Sequence, residues 1–146
     1  MKTNIAFWDT SAIVPLCAFQ ISSPRARKIQ RDYKMIYVCW ETLVEAYSAF
    51  NRSARNSAMT QVQYAAALRK LALLRKSWNE IPPKEAVREM AIDILESYPL
   101  RAGDALQLAA AMIWCDSKPH NRVFVCFDLL LADIASQVGF TVITLK

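Results

Sequence analysis

The chain has 146 residues, 54% of them hydrophobic and 21% charged, and its 18 Lys and Arg against 13 Asp and Glu give a net charge of +5. That length suits a single domain over residues 1–146 that buries a core without disulfides or a structural metal. No uncharged stretch is long enough to span a bilayer, so the apolar excess goes into a dense core and an interface with another chain. The basic balance favours a polyanionic partner, nucleic acid foremost.

Lys2 followed by an apolar run from Ile5 to Phe19 has the outline of a signal peptide, but Asp9 interrupts it and no small-residue cleavage site follows. The four cysteines, Cys17, Cys39, Cys115 and Cys126, lie in apolar segments without C-x-x-C spacing. They read as buried free thiols of a cytoplasmic protein. With two glycines, Gly103 and Gly139, the chain is poor in glycine turns and is expected to be rich in helix.

Ile5 to Trp8 is a short apolar run ending in Asp9, which predicts a buried strand. Thr10 and Ser11 offer hydroxyl caps for a helix from about Ala12 to Ala18, with Pro15 in its first turn. Ser22-Ser23-Pro24 opens a second helix carrying Arg25, Arg27, Lys28, Arg31 and Lys34. Met35 to Trp40 predicts a second buried strand. Helical spacing follows from Thr42 to about Arg55, with Leu43, Tyr47 and Phe50 along one side, and again from Thr60 to Trp78, the pair reading as a hairpin. Asn79 to Pro82 predicts a short strand, and Pro83 starts a helix that stops before Pro99. Gly103-Asp104 opens an alanine-rich helix to about Cys115. Arg122 to Phe127 predicts a strand ended by Asp128, Leu129 to Val138 a helix closed by Gly139, and Phe140 to Thr144 the last strand. Wholly apolar strands alternating with helices predict an α/β fold whose parallel sheet is covered on both faces.

Asp9 and Asp128 each end an apolar strand, at the sheet edge where parallel α/β folds bind ligands. Either could simply cap the helix that follows; two together, with Asp104 at a third helix start, exceed what capping requires. Glu45 stands mid-helix in TLVEAYSAF, where few other polar groups are present, and a shielded glutamate needs a partner or a cation. Glu41, one turn earlier on nearly the same face, competes with it. Carboxylates without a histidine or thiolate cluster make a hard oxygen site, suited to Mg²⁺ or Mn²⁺ rather than zinc. Such ions support in-line phosphodiester hydrolysis by metal-activated water. His120, in the loop SKPHN, reads as an exposed loop residue rather than a general base.

Four segments in this order, FWDTSAIVPL, ETLVEAYSAF, LRAGDALQLAAA and FVCFDLLLADIASQVGFTVI, resemble the PIN-domain ribonucleases, and among them the VapC toxins of bacterial toxin–antitoxin pairs. The resemblance runs nearly end to end. It implies a three-layer α/β/α sandwich with a central parallel sheet and an acidic pocket binding Mg²⁺ or Mn²⁺. The implied activity is endoribonuclease cleavage of structured RNA. Matched by motif, the catalytic and metal-binding acids are Asp9, Glu45, Asp104 and Asp128, with Thr10 and Ser11 lining the pocket. The resemblance further implies a homodimer and an inhibitory antitoxin that inserts a basic side chain among the acids. Arg101, Arg25 and Lys28 are candidate RNA contacts, although each also fits an ordinary structural or solvated position. Asp93, Glu96 and Asp133 read as surface acids from helix register. The competing readings are a catalytically inactive PIN-fold protein that binds RNA or a partner, and a phosphoacceptor receiver domain. The receiver lacks support, because the second strand ends in Trp40-Glu41 and the last lysine, Lys146, is terminal.

Overall fold

The computed structural model describes residues 4–145. Five strands, β1 (Ile5–Trp8), β2 (Met35–Cys39), β3 (Asn79–Ile81), β4 (Val123–Val125) and β5 (Thr141–Ile143), form one sheet in the order β3-β2-β1-β4-β5. Every pairing is parallel, with Ile5 opposite Met35, Phe7 opposite Phe124, Tyr37 opposite Asn79 and Phe124 opposite Val142. The chain winds outward from β1 to β3, then returns to the other side of β1 for β4 and β5. Strand order therefore reverses between β1 and β4, and the crevice at their carboxyl ends is where such sheets bind ligands.

The helices are α1 (Thr10–Cys17), α2 (Ser23–Asp32), α3 (Thr42–Arg55), α4 (Gln61–Ser77), α5 (Glu85–Ser97), α6 (Ala102–Trp114) and α7 (Leu129–Val138). Alternation along the strands divides the core in two, because successive side chains point to opposite faces. Ala6, Trp8, Ile36, Val38 and Val125 pack with Ile13, Ile29, Phe50 and Leu71 from the layer of α1 to α4. Phe7, Phe124 and Cys126 pack with Val87, Leu108, Leu131 and Ile134 from the layer of α5 to α7. The result is the expected α/β/α sandwich. All four cysteines are buried and free, and no helix among the described residues is long and apolar enough to cross a membrane.

Several local expectations are corrected. Helix α1 begins at Thr10, and its N-cap is Asp9, so Thr10 and Ser11 lie inside the helix rather than capping it. Pro15 consequently falls in the second turn, where it removes the bond to the Ser11 carbonyl. Ser22 makes no side-chain cap at α2; the buried Ser23 does the local work instead, accepting from Gln20 N at 2.8 Å and donating to Ala18 O at 3.3 Å. Helix α6 starts at Ala102, which puts Asp104 in its first turn rather than at its cap. Strands β4 and β5 are shorter than the apolar runs that predict them. Gly139 does close α7, at φ +126°, and a Cβ there would meet Pro119 Cγ at 3.0 Å.

Candidate active site

Asp9, Glu45, Asp104 and Asp128 border one cavity of about 420 Å³ at the switch point, together with Thr10, Ser11, Gln20, Ser48 and Arg52. They arrive from four places: the end of β1, the first turn of α3, the first turn of α6 and the turn between β4 and α7. The parallel ladder brings the first and last of these together, since Trp8 pairs with Val125 and Asp9 N donates to Val125 O at 2.9 Å. Ion pairs lie elsewhere: among the described residues, Arg75–Glu80 and Arg88–Glu85 form salt bridges, and none of the four acids does.

Asp9 is 4% exposed. Its Oδ2 accepts from Ser11 N at 3.0 Å and Ser11 Oγ at 2.5 Å, with the Cys126 thiol at 3.7 Å. Ser11 Oγ in turn accepts from Phe127 N at 2.9 Å, tying α1 to the chain beyond β4. Asp9 Oδ1 has no hydrogen bond among the described residues. Burial pushes the Asp9 carboxyl up to about 6, against the lowering effect of the Ser11 bonds, and Glu45 and Asp104 push in the same direction. The Cys126 thiol is also driven up, by burial and then by Asp9, so it stays protonated and leaves the donor set to oxygen.

Glu45 is held from two sides. Its Oε1 accepts from Thr10 Oγ1 at 2.7 Å and from Gln107 Nε2 at 2.6 Å, and Gln107 Nε2 also lies 3.0 Å from Thr42 Oγ1. Its Oε2 lies 3.2 Å from where a Cβ would sit on Gly103, so glycine at that point of α6 lets the two helices approach with the carboxylate between them. Gln107 and Thr42 were not among the residues singled out from the sequence. The available signal was weak: Gln107 is the only polar side chain in ALQLAAA, one turn beyond Asp104.

Asp104 and Asp128 are less confined. Asp104 is half-buried and has no hydrogen bond among the described residues. Burial raises its pKa most, then Asp128 and Glu45, with Arg101 pulling the other way. Asp128 is exposed and caps α7, accepting from Leu131 N at 3.0 Å through Oδ1. Asp9 and Asp128 thus do both things weighed for them: each caps a helix with one oxygen and borders the cavity.

Glu41 is not part of the acidic cavity's lining, although its Oε2 lies 3.9 Å from the same Cβ position on Gly103 that Glu45 Oε2 approaches. It lines a neighbouring apolar cavity of about 260 Å³ with Trp40, Pro82 and Lys84, and its buried Oε2 has no hydrogen-bond partner among the described residues. Burial, then Glu45, raises its pKa. Arg101 is exposed at the N-cap of α6. Arg25 and Lys28 lie on α2 outside the cavity lining, and Arg25 Nε donates to Thr144 O at 3.0 Å. His120 is exposed in its loop, and Asp93, Glu96 and Asp133 are exposed on their helices.

A doubly covered parallel sheet with acids gathered at its switch point defines the class of α/β proteins that bind ligands at strand ends. The PIN domain model matches residues 6–136, and the chain belongs to the PIN domain family, whose members are generally nucleases. No curated protein matches the chain. Among solved structures it is similar to a toxin–antitoxin complex from Klebsiella pneumoniae, with a TM-score of 0.67 and 17% identity over 97% of this chain and 98% of that one. It is similar also to PAE2754 from Pyrobaculum aerophilum, with a TM-score of 0.61 and 21% identity over 99% of this chain and 93% of that one. At these identities the likeness is one of fold.

Proposed function

We propose that this chain is a Mg²⁺- or Mn²⁺-dependent endoribonuclease, the toxin of a type II toxin–antitoxin pair, acting on structured RNA in the cytoplasm. One observation carries the reading: four carboxylates from four separate elements border a single cavity, and among the described residues no salt bridge compensates them. Uncompensated acids brought together disfavour their own ionisation, and a divalent cation relieves that cost.

The donor set fits a hard cation, since every candidate ligand atom is oxygen and the one nearby thiol stays protonated. Among the described residues, no three His, Cys, Asp or Glu side chains form a ready-made cage. An open arrangement is what Mg²⁺ favours, because it keeps several waters and takes one or two carboxylates directly. Asp9, Glu45, Asp104 and Asp128 would hold the ion. When bound, it supplies a Lewis acid that lowers the pKa of water and neutralises phosphate charge. The chain's own part is to orient and exclude. Ser11 holds Asp9, Thr10 holds Glu45, and the α6 dipole favours negative charge at Asp104. Arg52, on the cavity wall, is placed to meet a phosphate, and Arg101, Arg25 and Lys28 add basic surface around the fold.

The antitoxin reading draws support from the solved complex of similar fold and from apolar side chains left in solvent. Phe19, Ile21 and Val62 are 83%, 98% and 79% exposed, which suits a protein or second copy of the chain covering them. A second reading, a PIN-fold binding protein without catalysis, draws on the same exposed apolar side chains and basic surface.

The two separate on incubation of the purified chain with transfer or ribosomal RNA and Mn²⁺, followed by mapping of RNA ends. Internal cuts that stop with chelator, and fall by about 10³-fold in Asp104→Asn, are the expected result. An Asp104→Asn variant that cuts at the parent rate, or a parent that cuts no RNA with either cation, contradicts the proposal.

A further inference from the structure

Gln107 is 1% exposed in the middle of α6, in a run of alanines and leucines. Its amide nitrogen faces three acceptors, Glu45 Oε1 at 2.6 Å, Thr42 Oγ1 at 3.0 Å and Thr10 Oγ1 at 3.1 Å, while its buried oxygen has no partner among the described residues. A carboxamide offers two N–H donors on one side and an acceptor on the other. Turned over, it would set its oxygen 2.6 Å from a carboxylate oxygen, so Glu45 dictates the orientation found. That orientation leaves the buried amide oxygen without a partner among the described residues, a cost that leucine or methionine in the same space would not incur. Packing of α6 therefore does not explain this residue, and its bond to Glu45 does.

Glu45 Oε1 now has donors from two different helices, Thr10 on α1 and Gln107 on α6. Holding one oxygen from both sides fixes a side chain that otherwise has three free torsions. The other oxygen, Oε2, accepts no hydrogen bond among the described residues and lies beside Gly103 at the start of α6. We infer that Gln107 is a positioning residue: by gripping Oε1 it presents Oε2 of Glu45 to a divalent cation in the cavity. The inference rests on the metal-dependent reading above and adds a residue to it. Outer hydrogen bonds that orient a ligand typically change metal affinity by about 10–100-fold.

Calorimetric titration of Mn²⁺ into the purified full chain tests it without recourse to activity. Gln107→Met keeps the length and packing of the side chain but donates nothing. Its expected Mn²⁺ affinity is about 10–100-fold weaker than the parent's, with the metal-free melting temperature unchanged or raised. In a Glu45→Gln background the same substitution should alter Mn²⁺ affinity by less than about twofold, because the two residues act as one unit. Should Gln107→Met not fold, Gln107→Asn, which draws the amide back by one methylene, carries the same expectation. A variant that binds Mn²⁺ like the parent overturns the positioning role, as does an undiminished loss in the Glu45→Gln background. A parent that binds no Mn²⁺ overturns the metal-dependent reading itself, a distinct result.

Discussion

The two halves of the acidic cavity are built differently. On the side of β1 and α3, Asp9 and Glu45 are strapped by Ser11, Thr10 and Gln107, and each has one oxygen committed to the protein. On the side of α6 and α7, Asp104 has no hydrogen bond among the described residues and Asp128 stands in solvent with a single cap bond. Buried polar networks rigidify, and exposed carboxylates stay mobile and hydrated. On the proposed metal-dependent reading the two pairs have separate duties: the strapped pair sets where charge is placed, and the open pair admits water, ion and substrate.

The comparison can be broken most forcefully at Asp9. Its carboxyl sits near 6 in the folded protein, against 3.8 for an aspartate free in water. The folded state therefore holds the proton more tightly than the unfolded chain does. Stability from this group is complete below about pH 4 and is lost as pH rises through about 6. At pH 7 the metal-free protein carries a penalty of up to about 3 kcal/mol. Asp9→Asn removes it, so denaturant melts at pH 7 should show the variant more stable by about 1–3 kcal/mol. They should also show its stability falling less steeply than the parent's between pH 4 and 6, the remaining slope coming from Asp104 and Glu41, whose carboxyls burial also raises. Equal stability of the two proteins at pH 7 would mean that Asp9 is not a confined charge.

A gentler break is available at Gly103. A Cβ there would press on Glu45 Oε2 from 3.2 Å, moving the carboxylate by a few tenths of an ångström. Gly103→Ala should therefore lower RNA cleavage by about 3–10-fold, since small misplacements of a positioned group are costly. Stability should change little, since the helix preference of alanine at the second residue of α6 is offset by the close contact with Glu45. A loss in cleavage alone marks the effect as local to the site; a loss in both would mark it as damage to α6.

Much of this architecture is legible in the chain itself. The runs IAFW, MIYVC and VFV are apolar throughout because both faces of each strand are covered, and Asp9 and Asp128 stand out by ending two such runs. What escapes the sequence is whatever depends on partners far along the chain. Thr10 and Ser11 read as caps, yet Asp9 takes that position and frees their hydroxyls for Glu45 and Asp9. Glu41 and Glu45 share a helical face in projection and both carboxylates lie near Gly103 of α6; only the folded chain shows that Glu45 borders the acidic cavity and Glu41 the apolar one beside it. Gln107 looks like an incidental polar residue in an apolar helix until α1 and α3 bring Thr10 and Glu45 against it.

Proton release on Mn²⁺ binding bears most directly on whether these acids act as one cation site. Titrations at pH 6 in buffers of different ionisation enthalpy should give heats that differ by about half a proton per ion, because Asp9 is near half-protonated there. The dependence should vanish at pH 8 and shrink in Asp9→Asn. Heats that are the same in every buffer at pH 6, or binding that Asp9→Asn leaves untouched, would contradict a shared site.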